Sequence, residues 1–227
     1  VLLDGKPITY VSKAKCLGVT IDSSLSWNDH VSSITKQFSI KVKKLYQMSF
    51  LPTKSLSNIY MQGILPSATY AISVWGNCSN SHLEHLNSLH IKAARFVYRI
   101  RKSIPDSQVL SIAGWKSFEL MYRHNISCLT YKLYKNQLPG NLDYCKSTFR
   151  NQRVLRNNHR VDLPKFNKVS YKKSFSYRSA IIWNQLSNNC TNSPSLGEFK
   201  SKLNAEIENI SFCDGAMRKR NDGFLYY

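Results

Sequence analysis

Four basic residues recur at spacings of three and four within residues 81–102, a segment that reads as a helix. They are Lys92, Arg95, Arg99 and Lys102. Stepping by 100° per residue places them on one face, nearly opposite an apolar stripe of Leu86, Leu89, Ala93, Val97 and Ile100. No acid lies between Glu84 and Asp106, whereas a face built for ion pairs within the helix carries both signs of charge. Such a face could neutralise phosphates, and an ordinary solvated helix exterior is the open alternative.

A second basic segment follows at residues 149–173. Its cations are Arg150, Arg153, Arg156, Arg160, Lys165, Lys168, Lys172 and Lys173. Asp162 is its only acid, and no helical or strand period is sustained, so we expect an extended basic linker. Neutralised phosphates would release counterions here too, and Phe166, Tyr171 and Tyr177 could stack on bases. Aromatic anchors beside a solvated surface are the simpler alternative.

The acidic residues are dispersed, which bears on metal-dependent chemistry. Two-metal nucleotidyl transfer needs clustered carboxylates that hold ions about 4 Å apart. The thirteen acids include no Asp-Asp pair, and a helix would point Glu206 and Glu208 in different directions. We therefore assign no catalytic, cofactor-binding or metal-binding residue. Asp22 and Asp29 are interpreted as a strand-end residue and a helix cap.

Histidine and cysteine do not supply a site either. His82, His85 and His90 crowd one predicted helix, but no cysteine stands at ligand spacing, so zinc is disfavoured. The six cysteines contain no Cys-x-x-Cys pair and are interpreted as reduced thiols. No Gly-x-Ser-x-Gly elbow supports a Ser-His-Asp triad, and the nine glycines form no phosphate loop.

The composition is that of a folded protein with a polyanionic partner. Of 227 residues, 42% are hydrophobic and 12% aromatic, and 32 Lys and Arg against 13 Asp and Glu give a net charge of +19. Nucleic acid is the leading candidate and a membrane surface the alternative, although no apolar run approaches the ~20 residues of a span. No signal sequence opens the chain, so we expect an intracellular protein in the nucleus, the cytoplasm or both. A strand pattern beginning at Val1 indicates a fragment.

The apolar pattern predicts a mainly α (α+β) fold. Residues 1–24 predict a β-hairpin around Asp4-Gly5, with its second strand at residues 8–11 and a third strand at residues 15–22. So short a sheet cannot bury both faces alone, which indicates the edge of a larger sheet. The remaining segments are a helical bundle at 25–138, the basic linker at 139–173, a helical hairpin at 174–212 with a Ser195 capping box, and a frayed tail at 213–227.

Residues 15–30 are the most informative stretch. Leu17, Val19 and Ile21 alternate with small or polar residues, as in a strand with one buried face. Ser26 offers an oxygen to free backbone amides, and Asp29 lies three residues on, where a capping-box carboxylate belongs. A helix should therefore begin near Trp27.

The same stretch resembles a phrase, K-x-LGV-x-ID-x-x-L-x-W-x-x-H, of reverse transcriptases from non-LTR (LINE-type, jockey/CR1-like) retrotransposons. Further matching pieces lie at residues 64–70, 73–76, 175–179 and 183–186, in the order of that family. The catalytic signature of the family, an aromatic-x-Asp-Asp turn, does not occur in this sequence.

The resemblance implies the end of a palm, a thumb-like helical bundle and the C-terminal region of an RNA-directed DNA polymerase. It implies that a hairpin at Lys15, Leu17 and Gly18 holds the primer end, and that the basic face from Lys92 to Lys102 contacts template–primer phosphates. The parent enzyme would use Mg²⁺, whereas this chain would need no cofactor. Its partners would be RNA, DNA or an RNA–DNA hybrid and the missing N-terminal palm and fingers, with no membrane.

A second hypothesis is a stand-alone basic nucleic-acid-binding or interaction module derived from a decayed or domesticated element. Both hypotheses use the same candidate nucleic-acid-binding residues. These are Lys15, Leu17, Gly18, Lys92, Arg95, Arg99, Lys102, Arg153, Arg156, Arg160, Lys172 and Lys173.

Overall fold

Apolar residues at helical spacing fold most of this chain into helices, which confirms the mainly α prediction. The computed structural model describes residues 2–3, 6–7, 10–138, 161, 163–164 and 169–210. The chain divides into two units, Val1–Asn125 and Ile126–Tyr227. None of the helices in the described ranges combines the length and hydropathy that a membrane crossing requires.

Two strands form the first hairpin. Strand β1, Leu2–Leu3, pairs antiparallel with β2, Lys6–Pro7. Its position agrees with the hairpin predicted around Asp4-Gly5, but the described second strand is Lys6–Pro7. The prediction placed that strand at residues 8–11, of which 8 and 9 lie outside the described residues. Tyr10 and Val11, which that prediction placed in the strand, lie outside it and are largely exposed.

The second hairpin joins β3, Lys13–Cys16, to β4, Val19–Asp22, in a separate two-stranded sheet. Its turn residues, Leu17 and Gly18, have φ of 46° and 83°, the left-handed conformations that a two-residue hairpin turn requires. The prediction of one continuous strand over residues 15–22 was therefore wrong. It counted Leu17 as a buried strand residue, whereas 87% of Leu17 is exposed at the turn.

Helix α1, Asn28–Tyr46, starts next to Trp27, near which the sequence predicts a helix start. The side chain of Asp22 holds the backbone that leads into the helix. Its carboxylate accepts hydrogen bonds from the backbone amides of Ser24, Ser26 and Trp27 at 2.9–3.0 Å. The Ser24 hydroxyl above all, together with these amides, holds the pKa of Asp22 well below its usual value. The Ser26 amide, which a capping-box carboxylate at Asp29 would accept, bonds Asp22 instead, and Asp29 forms an ion pair with Lys13, so the predicted Asp29 cap was wrong.

Unit 1 continues through further helices in chain order. They are α2 (Thr53–Asn58), α3 (Leu65–Thr69), α4 (Ile72–Trp75), α5 (Asn80–Tyr98), α6 (Asp106–Ala113) and α7 (Phe118–Tyr134), the last of which contains the unit boundary. A π-helical stretch, Ile59–Ile64, connects α2 to α3. Pro66, which lacks an amide hydrogen and so leaves one helical hydrogen bond unmade, is the second residue of α3.

A buried aromatic cluster fills the middle of unit 1. The rings of Tyr60 and Trp115 stack at 4.5 Å with 5° between their planes, and His90 stacks on Trp115 at 5.1 Å. The Tyr60 hydroxyl bonds His90 Nδ1, and His90 Nε2 donates to the carbonyl oxygen of Lys116 at 3.1 Å. Burial lowers the pKa of His90 to about 4, so the imidazole is neutral at physiological pH.

Unit 2 has its own apolar core. Beyond α7, the described residues of unit 2 form a 3₁₀ turn (Val169–Lys173), α8 (Phe175–Gln185), α9 (Asn188–Thr191), α10 (Leu196–Glu206) and a second 3₁₀ turn (Ile207–Asn209). Ser195 Oγ accepts a hydrogen bond from the Glu198 amide at 3.2 Å, as the capping box predicts. The Tyr131 ring stacks on Phe199 at 4.4 Å, and Trp183 is also buried. The short helix α9 was not predicted.

Candidate nucleic-acid interface

The predicted basic face does not lie on one helix. Helix α5 ends at Tyr98, and Arg99 adopts a left-handed conformation with φ of 53°. Its amide bonds the Phe96 carbonyl, and the Ile100 amide bonds the Arg95 carbonyl, which closes the helix. Lys92 is therefore exposed on α5, whereas Arg99 and Lys102 are exposed in the loop that follows. No glycine, the residue that most often ends a helix in this conformation, stands at residues 98–102, so the sequence does not predict this end.

Arg95 is engaged in holding this loop. Its guanidinium donates to the carbonyl oxygens of Arg101 at 2.7 Å and Ile104 at 2.5 Å, and bonds the Asp106 carboxylate at 2.6 Å. Only 18% of its side chain is exposed, compared with 72% for Asp106. A phosphate would have to compete with all three of these acceptors for Arg95. These hydrogen bonds instead indicate that Arg95 holds the conformation of residues 99–106.

Contacts at both ends show that α1 and α5 lie side by side and run in the same direction. Near their starts, Asn28 Oδ1 accepts from His82 Nε2 at 3.1 Å. Near their ends, the rings of Tyr46 and Phe96 meet edge to face at 4.8 Å. The last turn of α1 and the loop after α5 therefore lie at the same end of unit 1.

Helix α2 joins that end, because the Ser57 and Tyr98 hydroxyls lie 3.2 Å apart. Six exposed cations from the three elements gather there, and we call them the basic end of unit 1. They are Lys43, Lys44, Lys54, Arg99, Arg101 and Lys102. None of the six has an acidic partner among the residues that the structure describes. No sequence pattern connects Lys43, Lys44, Lys54 and Arg101, because only tertiary packing brings them to one end of the unit.

The hairpin of Lys15, Leu17 and Gly18 lies at the opposite end of α1. The amide of Thr20 donates to Nδ1 of buried His30, in the first turn of α1, at 3.3 Å. At the tip, the Tyr70 hydroxyl donates to the Leu17 carbonyl oxygen at 3.1 Å. The exposed Leu17 side chain is thus presented on a backbone that two separate contacts hold in place.

The remaining candidates lie in the predicted linker. Arg153, Arg156 and Arg160 lie outside the described residues. Lys172 and Lys173 belong to the 3₁₀ turn Val169–Lys173 and not to an extended linker, which corrects the prediction for this part of it. Lys173 is exposed and Lys172 is half-buried. The Ser174 amide donates a hydrogen bond to the Tyr171 carbonyl oxygen at 2.8 Å, and α8 begins at the next residue.

The three histidines do not converge. His82 bonds Asn28, His90 is buried in the aromatic cluster, and His85 is exposed. Within the described ranges, no group of three His, Cys, Asp or Glu side chains could hold a metal ion.

Comparison with known proteins identifies relatives for part of this chain. A region of 101 residues, 43% of the chain, is 33% identical to a probable RNA-directed DNA polymerase from transposon X-element of Drosophila melanogaster. The RNA-directed DNA polymerases from mobile element jockey are similar over 42% of the chain, at 33% identity in D. melanogaster and 30% in D. funebris. This chain contains a region related to the reverse transcriptases of LINE-type retrotransposons.

The resemblance in the sequence is thereby confirmed. The matched regions cover only 11% of the length of each of these relatives. No protein-family description and no solved structure matches the chain.

Proposed function

We propose that this chain is a C-terminal part of a retrotransposon RNA-directed DNA polymerase and that it grips template–primer nucleic acid without catalysing. The similarity to the X-element and jockey polymerases supports the first half of the proposal. The basic end of unit 1 supports the second, because exposed cations without acidic partners in the described structure suit a phosphate backbone. By this proposal the chain works in the nucleus, the cytoplasm or both.

The separation of the two surfaces suits a duplex. Helix α1 has 19 residues and is therefore about 28 Å long at 1.5 Å per residue. The hairpin lies at its first turn and the basic end at its last. A template–primer duplex lying along α1 would span that distance and reach both surfaces at once. The hairpin would meet one end of this segment, and Arg99 and Lys102 would neutralise phosphates at the other.

Catalysis is assigned to a partner in this proposal. The described residues supply no carboxylate cluster for two Mg²⁺ ions, so the metals would be bound by the palm and fingers of the parent polymerase. This chain would complete the channel for the nucleic acid. We expect primer extension by the chain alone to remain at background.

Binding of a labelled RNA–DNA hybrid to the full chain tests the grip. The affinity should fall steeply with salt, and changing Lys92, Arg99 and Lys102 together to Gln should lower the slope of log K against log [salt] by up to about 3 units. These side chains are exposed, so circular dichroism should be unchanged.

Two further variants serve as controls. Changing Lys132, Lys135 and Lys200 of unit 2 to Gln removes the same net charge and should leave the slope nearly unchanged. Changing Arg153, Arg156 and Arg160 to Gln measures what the predicted linker adds. Equal slopes in all the proteins would show that the charge is a solvated surface, and the grip would be refuted. If the full chain bound other polyanions as tightly as it binds nucleic acid, the stand-alone interaction module would be favoured.

A further inference from the structure

One exposed aromatic side chain stands out among the cations of unit 1. Phe50 lies in the loop between α1 and α2, residues 47–52, and 81% of it is exposed. A phenylalanine this exposed loses the stabilisation that burial of its ring would provide. The described contacts of unit 1 give it no packing role. Its position therefore invites a functional explanation.

The packing of the helices fixes where this ring stands. The loop begins after Tyr46, which contacts Phe96, and it leads into α2, where Ser57 contacts Tyr98. Both contacts involve the last turn of α5. The loop that carries Phe50 is therefore part of the basic end of unit 1, between Lys44 and Lys54 along the chain.

Lys54 indicates that the charge at this end is not explained by helix stability. Lys43 and Lys44 lie in the last turn of α1, where cations interact favourably with the helix dipole. Lys54, in contrast, lies in the first turn of α2, where a cation is unfavourable and where no acid accompanies it. Departures from local preference of this kind concentrate at functional sites.

We propose that the basic end of unit 1 binds single-stranded nucleic acid, with an unpaired base stacked on Phe50 and the flanking phosphates neutralised by Lys44, Lys54 and Arg101. A protruding ring can stack on a base whose face is free, whereas the faces of paired bases are covered within a duplex. The inference rests on the proposed function only in that both require a nucleic-acid partner. It adds a ligand, the unpaired strand, that a grip on the duplex does not need.

The test compares a labelled 20-nucleotide oligouridine with a 20-base-pair RNA–DNA hybrid, each titrated with the full chain. Phe50→Leu keeps the apolar bulk and removes the π face, and it should weaken oligouridine binding about tenfold. Its affinity for the hybrid should change less than twofold. Tyr10→Leu is the matched control, because Tyr10 is 86% exposed and lies near the hairpin, far along the chain from α2. This control should leave oligouridine binding unchanged.

A charge variant provides a second measurement. Lys54→Gln should lower the salt slope for oligouridine by about 0.7, the value for one phosphate contact on a single strand, whereas Lys200→Gln in unit 2 should not. The Phe50 and Lys54 side chains are exposed, so both variants should fold, and thermal unfolding checks this.

The outcomes separate the two proposals. If the wild type binds oligouridine but not the hybrid, and Phe50→Leu loses the oligouridine binding, the inference is supported and the proposed function is refuted. Normal hybrid binding with no effect of Phe50→Leu on oligouridine refutes the inference alone. Equal losses in Phe50→Leu and Tyr10→Leu refute it as well. Binding to anionic phospholipid vesicles that Phe50→Leu abolishes, with oligouridine unaffected, would assign this surface to a membrane and also refute it.

Discussion

The two ends of α1 present different kinds of surface. At its first turn, a hairpin is held by directed polar contacts from Asp22, His30 and Tyr70, and the nearby cation Lys13 is paired with Asp29. At its last turn, one edge-to-face ring contact and one hydroxyl–hydroxyl hydrogen bond hold three elements together, and the cations remain without acidic partners in the described structure. The first end presents a hairpin held in a defined conformation, and the second end presents exposed positive charge. A net charge of +19 therefore does not mark every basic residue as a contact.

The aromatic cluster between the two ends should respond most strongly to acid. The unfolded chain protonates His90 below its ordinary pKa near 6.5, whereas the folded chain resists protonation until the pH falls to about 4. Between these values the unfolded state binds more protons, so the free energy of unfolding should fall by about 3 kcal/mol as the pH drops from 6.5 to 4. Chemical denaturation followed by tryptophan fluorescence measures this.

His90→Gln should lose that part of the pH dependence, because the glutamine does not titrate. His85→Gln is its matched control, since His85 is exposed and should leave the profile unchanged. If His90→Gln showed the same pH dependence of the free energy of unfolding as the wild type, the assignment of that dependence to His90 would be contradicted.

The hairpin end should depend on Asp22. Asp22→Ala leaves three backbone amides without their acceptor and should destabilise the entry to α1 by about 1–2 kcal/mol. Because the pKa of Asp22 is lowered in the fold, its contribution is present above the ordinary pKa near 3.8 and is lost only at lower pH. Hydrogen exchange of the Ser24, Ser26 and Trp27 amides should accelerate.

Asp29→Ala is the comparison for this variant. It removes only the exposed ion pair with Lys13, so exchange of those amides should stay near the wild-type rate. Similar acceleration in both variants would mean that Asp22 does not organise the turn.

Arg95 separates shape from charge at the basic end. Arg95→Lys keeps the charge but loses the forked hydrogen bonds to the loop and Asp106. If Arg95 shapes the loop, exchange in residues 99–106 should rise and hybrid affinity should fall several-fold in Arg95→Lys as in Arg95→Gln. If Arg95 instead contacts phosphate, the lysine variant should bind nearly as well as wild type. Hydrogen exchange and the salt slope together decide between these roles.

The smallest effect is expected at the hairpin tip. Gly18 has φ of 83°, and a Cβ added there would meet Tyr70 at 3.5 Å, an ordinary contact. Gly18→Ala should therefore cost only the backbone strain, about 1 kcal/mol, measurable as a small decrease in melting temperature. Gly63→Ala is the control, because Gly63 has open space and no left-handed conformation. A loss of several kcal/mol in Gly18→Ala would mean that the tip is packed more tightly than these contacts indicate.

Local sequence signals predicted the helices and the relationship to LINE-type polymerases. The stripe of Val31, Ile34, Phe38, Val42 and Leu45 predicts the buried face of α1, and all of these are buried except Ile34, which is half-buried. Ser195 predicts the start of α10, where its side chain accepts the expected amide. These patterns depend on residues within one or two helical turns of each other, so they can be recognised without knowledge of the fold.

Tertiary structure decided the parts that matter for the candidate interface. Arg95 meets Asp106 eleven residues away, Tyr60 meets His90 thirty residues away, and Ser57 meets Tyr98 forty-one residues away. Periodicity within one helix carries no information about such partners. By sequence alone Arg95 is indistinguishable from Arg99, whereas packing engages the first guanidinium in a loop and leaves the second exposed. The physical reason is that a cation is available to a ligand only where folding has given it no acceptor of its own.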